Sequence, residues 1–309
     1  MADVMILLAT YNGSKYICEM IDSIILQDYQ DWHLILSDDG STDTTVQILE
    51  KYAKKMPERI THYQSGMRFG NAQNHFMHLL KTFHDSSYIM FCDQDDVWHT
   101  DKISKTMVKM KQIELSGKPA MVHTDLRVVD GQLNLIDPSF MHFSKLRGDR
   151  LGLNHLLVQN VVTGCTMMIN RELAELAVSR IPDQGIMMHD WWIALLASAV
   201  GSVGYVDDAT IDYRQHGNNV VGAKNTRSLS YIMNKLKNNE IARVMDKSYR
   251  QAEKFDECFA DLLSAEKRDI VLQYSDLKNK NFVIRRYVFV KYRYFKIGMS
   301  RVVAQMIWG

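Results

Sequence analysis

The sequence has few of the features that mark disulfide-stabilised, zinc-binding or membrane-spanning proteins. Its four cysteines lie far apart, with no CxxC spacing and no paired histidines, which argues against a zinc site or a disulfide framework. The uncharged run at residues 191–206 is shorter than the about 20 apolar residues that a bilayer-spanning helix needs. We therefore expect a cytoplasmic protein without a transmembrane helix.

The chain also lacks a strong net charge. It has 37 basic and 36 acidic side chains, a balance that argues against a nucleic-acid partner. The N-terminal segment MADVMILLATYN has no basic region and no cleavage site, so we interpret it as a strand rather than a signal peptide. Residues 277–309 are an exception to the balance, because they hold eight Lys or Arg and no Asp or Glu.

What the sequence does contain is an alternation of short β-rich runs and helical patterns. This alternation predicts βαβ units and an α/β fold with a Rossmann-like, mostly parallel central sheet. We predict strands at Val4–Ala9, His33–Asp38, Ile60–Gln64, Tyr88–Cys92, Ala120–Val129 and Thr166–Ile169. We predict helices at Tyr16–Gln27, Thr44–Lys55, Asn71–Phe83 and Arg171–Arg180, and from near Asp190.

Polar loops follow the first four predicted strands, where sheets of this kind bind their ligands. The loop DQDD, after the fourth strand, holds Asp93 and Asp95 with one residue between them. Two carboxylates held together are costly unless a cation neutralises them. Mg²⁺ or Mn²⁺ would suit these hard oxygen ligands and the phosphates of a diphosphate substrate. The alternative is a solvated acidic turn that caps the next helix.

The loop SDDGSTD, after the second strand, suits recognition of a base. Gly40 permits a sharp turn, and Asp38 and Asp39 lie at its tip. A carboxylate there can accept a hydrogen bond from the imide N–H of uracil or thymine. An ordinary strand–turn–helix connection explains the same residues, so this loop alone leaves the question open.

Together with LATYNGSKYICEMIDSIILQ, these motifs resemble, in order and spacing, the nucleotide-binding half of glycosyltransferase family 2, whose members have the GT-A fold. The resemblance covers roughly residues 3–225. It implies a nucleoside-diphosphate sugar as donor and a divalent metal, Mg²⁺ or Mn²⁺, as cofactor. It implies contacts to the nucleotide by Thr10 and Tyr11, to the base by Asp39, and to the metal by Asp93 and Asp95, with Asp95 the direct ligand.

The resemblance also implies a division of the chain. Residues 1–225 would form the GT-A domain, with a nucleotide-binding half at about 1–100 and an acceptor half at about 101–225. Residues 226–309 would form a helical C-terminal region that ends in the basic tail.

The segment MMHDWWIALLASAVG supplies a base for the transfer. The attacking hydroxyl becomes acidic only as the new bond forms, so a positioned carboxylate can remove its proton. In the family an acidic residue at the place of Asp190 is the catalytic base of an inverting enzyme. The pair His189–Asp190 stands where Glu-Asp is usual and resembles the HDWW form of rhamnosyltransferase-like members. The alternative is that Asp190 only caps its helix.

Five further residues are predicted to contact the substrates. Trp191 and Trp192 would stack on an acceptor sugar or lie in the core. Gly164, in VTGCTMMINREL, would allow close approach of a sugar or simply close packing. In YRQHGNNVVG, Arg214 would clamp the diphosphate, and His216 would be a third metal ligand or a phosphate donor.

The basic tail has an apolar stripe at spacings of three and four, which predicts one amphipathic helix. The stripe consists of Ile284, Val288, Tyr292, Phe295, Met299, Val302 and Met306. Basic residues fall largely away from it, which suits a helix lying on an anionic membrane surface. The alternative is a C-terminal helix packed on the domain with its basic side in water.

From these observations we expect a metal-dependent, inverting glycosyltransferase of bacterial cell-surface polysaccharide synthesis, peripheral on the inner face of the cell membrane. Its acceptor would be a saccharide, lipid-linked, and its donor a dTDP- or UDP-sugar, with dTDP-L-rhamnose the first to try. Three alternatives remain open: a UDP-hexose-using enzyme of the same fold, a nucleotidyltransferase, and a non-catalytic nucleotide- or carbohydrate-binding module.

Overall fold

The computed structural model of the chain describes residues 2–182, 184–216 and 240–308. Its strands are β1 (Val4–Thr10), β2 (Trp32–Asp38), β3 (Ile60–Tyr63), β4 (Tyr88–Cys92), β5 (Val97–Trp98), β6 (Ala120–Val129), β7 (Leu135–Asp137), β8 (Met168–Asn170) and β9 (Ser202–Arg214). Its helices are α1 (Ile17–Ile25), α2 (Thr45–Lys55), α3 (Ala72–Thr82), α4 (Lys102–Ile113), α5 (Phe140–Phe143), α6 (Leu153–Val158), α7 (Arg171–Ser179), α8 (His189–Val200), α9 (Glu240–Phe259), α10 (Ala265–Ser275), α11 (Phe282–Tyr292) and α12 (Met299–Trp308).

One mixed sheet of nine strands organises the described residues. Its order is β3-β2-β1-β4-β8-β6-β9-β5, and β7 pairs with β6. The strands β3, β2, β1 and β4 are parallel, whereas β8 runs antiparallel to both β4 and β6. The parallel half brings the carboxyl ends of β1, β2 and β4 to one edge, with Thr10 opposite Asp38. The predicted α/β class with a Rossmann-like half is confirmed.

Both faces of the sheet are covered, which explains why β1 and β4 are apolar throughout rather than alternating. On one face Ile6 and Leu8 pack with residues of α1, α2 and α4. On the other face Leu7 and Phe91 pack with residues of α3, α6, α7 and α8. The ends of the strands are therefore held rigidly between two apolar layers.

The helices after residue 240 extend the second layer. Trp192 of α8 contacts Phe255 of α9 edge-on, with ring centroids 5.5 Å apart. Phe259 and Tyr274 are fully buried in the same apolar cluster. The C-terminal helices thus share a core with α8, which begins at the cavity described below. The predicted boundary after residue 225 lies outside the described residues.

The prediction of one continuous helix in the basic tail is wrong. The tail forms two helices, α11 and α12, because Arg293 and Gly298 take left-handed backbone angles, with φ of 56° and 94°. The break lets Tyr294 turn into the core, where it is fully buried. Gln305 then holds the turn, since its side chain donates to the Tyr294 carbonyl at 2.6 Å and accepts from the Lys296 amide at 3.0 Å.

This break also divides the predicted stripe. Val288 is buried, whereas Ile284 and Met299 are exposed. Of the helices within the described ranges, none combines the length and the apolar character needed to cross a membrane.

The predicted strand Thr166–Ile169 begins two residues later than expected. Residues Gly164–Thr166 form a 3-10 turn, and β8 starts at Met168. The turn matters because it places the amide of Gly164 beside the start of α8.

Candidate functional site

A cavity of about 1160 Å³ opens where β1, β2 and β4 end. The loops after these strands form one wall, and residues 160–164 with the start of α8 form the opposite wall. The cavity is lined by nine of the predicted site residues, namely Thr10, Tyr11, Asp39, Asp93, Asp95, Gly164, Asp190, Trp191 and His216. Arg214 and Trp192, also predicted, do not line it.

The turn after β2 is shaped by Asp38. The carboxylate of Asp38 accepts hydrogen bonds from the amides of Gly40 and Ser41, at 2.9 and 2.7 Å. The hydroxyl of Thr10 donates to the same carboxylate at 2.9 Å. Gly40 has φ of 82°, an angle that glycine adopts without strain. The carboxylate of Asp38 and the hydroxyl of Thr10 therefore make hydrogen bonds within the turn, and Asp39 is the aspartate of this loop that faces the cavity.

Asp39 is held at the cavity by the loop after β3. Its two carboxylate oxygens accept the amides of Phe69 and Gly70, at 2.5 and 2.8 Å. Each oxygen keeps a second lone pair for a ligand donor. Arg68 in the same loop also lines the cavity, with its guanidinium against Gly40. The sequence reasoning missed Arg68, because nothing in the spacing of MRFGN indicates that this side chain folds over the turn.

Gln94 ties the first loop to the DQDD loop. The amide of Tyr11 donates to Gln94 Oε1 at 2.9 Å, and Gln94 Nε2 donates to the Tyr11 carbonyl at 3.0 Å. A Cβ at Gly13 would lie 2.2 Å from Gln94 Oε1, so the side chain packs where only glycine leaves room. The ring of Tyr11 stays more than half exposed. Gln94 was not among the predicted site residues, yet it fixes the relative position of two loops that face the cavity.

Asp95 and His216 form the pair that best fits a divalent cation. His216 Nε2 lies 2.7 Å from Asp95 Oδ2, and the His216 ring stacks on Tyr16. Two ligand atoms of one octahedral ion, each at about 2.1 Å, lie about 3 Å apart. Both side chains reach the cavity, and Asp93 lines it beside them. These residues therefore fit Mg²⁺ or Mn²⁺, with room for phosphate oxygens.

A second group of ligating atoms lies deeper and fits such a cation poorly. Oxygens of Asp93 and Asp96 and the sulfur of Cys165 lie within 4.8 Å of one another. Asp96 is fully buried and accepts the Arg214 amide at 3.1 Å. Burial raises the pKa of the Cys165 thiol well above its usual value, and thiols are soft ligands. Burial, followed by the charges of Asp95 and Asp190, raises the pKa of Asp93 to about 7.

The position of Arg214 corrects the prediction that it clamps the diphosphate. Its side chain is 2% exposed and points behind the DQDD loop. Nε donates to the Asp95 carbonyl at 2.8 Å, Nη1 donates to the Gly131 carbonyl at 2.9 Å, and Nη2 pairs with Glu19. The guanidinium also lies over the Tyr16 ring. Arg214 therefore braces the metal-facing loop from behind.

Asp190 lies in the first turn of α8 and accepts three N–H groups. These come from the Trp191 amide at 2.5 Å, the Gly164 amide at 3.0 Å and Asn160 Nδ2 at 3.1 Å. Burial raises the pKa of Asp190 to about 7 although these hydrogen bonds lower it. The N-cap of α8 is Met188, so the capping alternative does not describe Asp190.

His189 is buried and neutral. Its ring lies between Phe76 and Phe91, with centroids 4.5 and 5.3 Å away, and burial lowers its pKa to about 3. A Cβ at Gly164 would lie 2.7 Å from His189 Nε2. Gly164 is therefore required for close packing against His189, the second of the two explanations considered for it.

Trp191 and Trp192 lie in different surroundings. Trp191 lines the cavity and donates from Nε1 to the Leu156 carbonyl at 2.5 Å. Trp192 is fully buried against Phe255 and Phe259. Successive helical residues point about 100° apart, so only one of the pair can face the cavity. The expected acceptor contact by Trp192 is therefore corrected to a packing role.

Comparison with known proteins gives concordant results. The model of the family described as "Glycosyl transferase family 2" matches residues 5–176. The dTDP-rhamnosyl transferase RfbG of Shigella flexneri is 31% identical over 259 residues, covering 79% of this chain and 81% of that protein. The putative teichuronic acid biosynthesis glycosyltransferase TuaG of Bacillus subtilis (strain 168) is 27% identical, covering 72% and 82%.

Solved structures share the fold at low identity. S. aureus TarS 1–349 superimposes with a TM-score of 0.59 at 17% identity, covering 96% of this chain and 76% of that chain. The mannosyltransferase PcManGT from Pyrobaculum calidifontis, in complex with GDP-Man and Mn²⁺, superimposes with a TM-score of 0.54 at 14% identity, covering 99% and 87%.

If Arg214 is a brace, Arg214→Lys should destabilise the ligand-free protein. Lysine keeps the charge but has one nitrogen in place of three. It therefore cannot reach the two carbonyls and Glu19, which three different guanidinium nitrogens of Arg214 contact. We expect a loss of about 3 kcal/mol, or about 4–5 °C in Tm, measured by calorimetry without nucleotide. Arg147→Lys is the matched control, because Arg147 and its partner Asp149 are both exposed and the change should cost little. An unchanged Tm for Arg214→Lys would restore the ligand-clamp interpretation.

Proposed function

This chain belongs to glycosyltransferase family 2 and has the GT-A fold, and from that premise we propose that it is a metal-dependent, inverting enzyme. It moves a sugar from a nucleoside diphosphate to a saccharide acceptor in bacterial cell-surface polysaccharide synthesis. The observation that carries the proposal is that Asp39, the Asp95–His216 pair and Asp190 line one and the same cavity.

The donor lies along the wall made by the strand-end loops. Its base is recognised by Asp39, whose lone pairs remain available to an imide N–H. Tyr11 contacts the nucleotide through its exposed ring, and Thr10 through its backbone. Asp95 and His216, with Asp93 beside them, hold a divalent cation, which would neutralise the diphosphate leaving group. The complexes of TarS with UDP-GlcNAc and of PcManGT with GDP-Man and Mn²⁺ support this placement.

The transfer step uses Asp190 as general base. The acceptor hydroxyl loses its proton to Asp190 as its oxygen forms a bond to the anomeric carbon. The bond from that carbon to the diphosphate oxygen breaks at the same time, and the nucleoside diphosphate leaves with the electron pair. Because the acceptor attacks the face opposite the leaving group, the anomeric configuration inverts. His189 stays neutral and supports the wall behind Gly164.

The donor we favour is dTDP-L-rhamnose. The similarity to the dTDP-rhamnosyl transferase RfbG over 79% of the chain supports it. Asp39 would accept from thymine and uracil alike, so a UDP-sugar is the second candidate, and the TarS complex with UDP-GlcNAc favours testing it. Calorimetric titration with dTDP, UDP and their sugars, with and without Mn²⁺, tests the proposal. Absence of binding under all conditions would contradict it.

We propose that the acceptor lies against Trp191 and is lipid-linked. In this arrangement residues 1–225 form the catalytic domain, with the donor half at about 1–100 and the acceptor half at about 101–225. The described helices after residue 240, in the predicted C-terminal region 226–309, complete the acceptor side. The C-terminal turn supports the last point, because the Ile297 amide donates to Gln159 Oε1 at 2.8 Å, next to the cavity residue Asn160.

We further propose that the C-terminal helices rest on the inner face of the cell membrane. They expose eight large apolar side chains, namely Phe282, Val283, Ile284, Tyr287 and Val290 on α11 and Met299, Val303 and Ile307 on α12. Residues 277–309 carry basic but no acidic side chains, which complements anionic lipid headgroups. Arg301 of α12 donates to the carbonyls of Ser144 and Lys145, directly before the cavity residue Leu146.

Asp95→Ala should reduce nucleotide affinity with Mn²⁺ to the level measured without the metal. The reason is that this change removes the proposed direct ligand while leaving Asp39 and the base site intact. Isothermal titration calorimetry with dTDP measures it. Asp101→Ala is the control, because Asp101 follows the same loop but does not line the cavity. Equal Mn²⁺-dependent affinity in wild type and Asp95→Ala would show that Asp95 is not a metal ligand.

Asp190→Asn should lower kcat by about 10²–10⁴-fold and leave donor affinity unchanged, because general-base catalysis contributes that much. In the wild type, turnover should fall as the pH drops through about 7. The pKa of Asp190 is raised to about 7, so below that pH the carboxylate is protonated and cannot act as a base. Release of dTDP from dTDP-L-rhamnose against pH measures both effects. Full turnover by Asp190→Asn would reject the base assignment.

Membrane binding should depend on the exposed apolar residues of α11. Val283→Glu combined with Val290→Glu should reduce flotation with phosphatidylglycerol vesicles several-fold, because both side chains are exposed and would meet the lipid. Leu272→Glu on α10 is the control, since Leu272 is also exposed but lies outside this surface. Equal flotation of all three proteins would contradict the proposal, and a dimer in solution would assign the surface to a second copy of the chain.

A further inference from the structure

Asn160 is a cavity residue whose side chain makes three hydrogen bonds. Its Oδ1 accepts the Val162 amide at 3.0 Å, and its Nδ2 donates to the Val162 carbonyl at 2.8 Å. The same Nδ2 donates to Asp190 Oδ1 at 3.1 Å. The first two bonds fix the amide plane of Asn160 against its own loop, so the orientation of the third bond is set in advance.

The loop that carries Asn160 is held from outside the cavity as well. Gln159 accepts the amide of Ile297 in the turn between α11 and α12, at 2.8 Å. Val161 and Val162 are buried in the layer beneath α8. Asn160 therefore approaches Asp190 from a different segment of the chain than the helix on which Asp190 lies.

Among the described residues, the other two donors to Asp190 are backbone amides, those of Trp191 and Gly164. They follow from the start of α8 and from the 3-10 turn and cannot be changed by substitution without altering the backbone. Asn160 thus provides the one side-chain donor among the three N–H groups that bind Asp190. A carboxylate held by three N–H groups is fixed in rotation, and because two of them bind Oδ1 and one binds Oδ2, one lone pair of Oδ2 remains for a proton donor in the cavity.

We propose that Asn160 is a positioning residue whose side-chain amide fixes the Asp190 carboxylate in the orientation in which it receives the acceptor proton. This inference rests on the proposed role of Asp190 as base. It goes beyond that role by assigning the control of the base to a residue on a separate loop.

The charged surroundings of Asp190 make the effect of Asn160 measurable. Asp93, at the end of β4, lines the same cavity as Asp190, and the charge of Asp190 contributes to the raised pKa of Asp93. His189 on the same helix is neutral, and Asp95 and His216 lie in the same cavity. A donor facing Asp190 offsets this repulsion, whereas an additional carboxylate would increase it.

Asn160→Asp tests the inference, because it keeps the size and the oxygen that accepts from Val162 but replaces the donor with a carboxylate. The titration of Asp190 is followed by ¹³C NMR of protein labelled at Asp carboxyls, with the signal assigned by its absence in Asp190→Asn. We expect the pKa of Asp190 to rise by about one unit or more. We also expect kcat for dTDP-L-rhamnose to fall at least tenfold while dTDP affinity with Mn²⁺ stays unchanged.

Asn154→Asp is the matched control, because Asn154 lies on α6, donates to the Tyr292 carbonyl and does not line the cavity. It should leave the titration of Asp190 unchanged. If Asn160→Asp does not fold, Asn160→Ala removes the donor without adding charge and should raise the same pKa by less. An unchanged Asp190 titration in the folded Asn160 variant would overturn the inference. Turnover that survives in Asp190→Asn would instead overturn the proposed base.

Discussion

Electrostatic repulsion among clustered carboxylates, two of them buried, is the constraint on which the site depends. Asp93, Asp95, Asp96 and Asp190 come together where the strands end, and the pKa values of Asp93, Asp96 and Asp190 are all raised, first by burial. Such a cluster is unstable unless donors and cations surround it. Much of the surrounding structure supplies them. Arg214 braces the loop from behind, and backbone amides meet the carboxylates of Asp96 and Asp190.

Strand pairing in the sheet brings these groups together. Parallel pairing aligns the ends of β1, β2 and β4, so three loops that are distant in sequence share one edge. The antiparallel strand β8 then brings the Gly164 turn beside β4, and α8 begins next to that turn. The loops of the proposed donor wall and the Gly164 turn of the proposed acceptor wall therefore adjoin neighbouring strands of one sheet.

The sequence predicted those parts of the site that depend on local motifs. Asp39, Asp93 and Asp95 lie within a few residues of a strand end, so pattern and spacing locate them. Arg214 was assigned incorrectly, and Trp192 was left between acceptor contact and core, because the roles of both depend on burial, which a motif does not reveal. Asn160 and Gln94 carry no signal of their own, since each acts through a hydrogen bond to a residue at least 30 positions away. The break in the tail likewise depends on the burial of Tyr294, a tertiary contact.

The most direct test of the proposed site is a crystal structure of the protein with dTDP and Mn²⁺, using the anomalous signal of the metal. The account predicts Mn²⁺ between Asp95 and His216, with diphosphate oxygens on the ion and the thymine imide against Asp39. Mn²⁺ bound instead at the deeper group of Asp93, Asp96 and Cys165, or nucleotide bound outside the cavity, would contradict it.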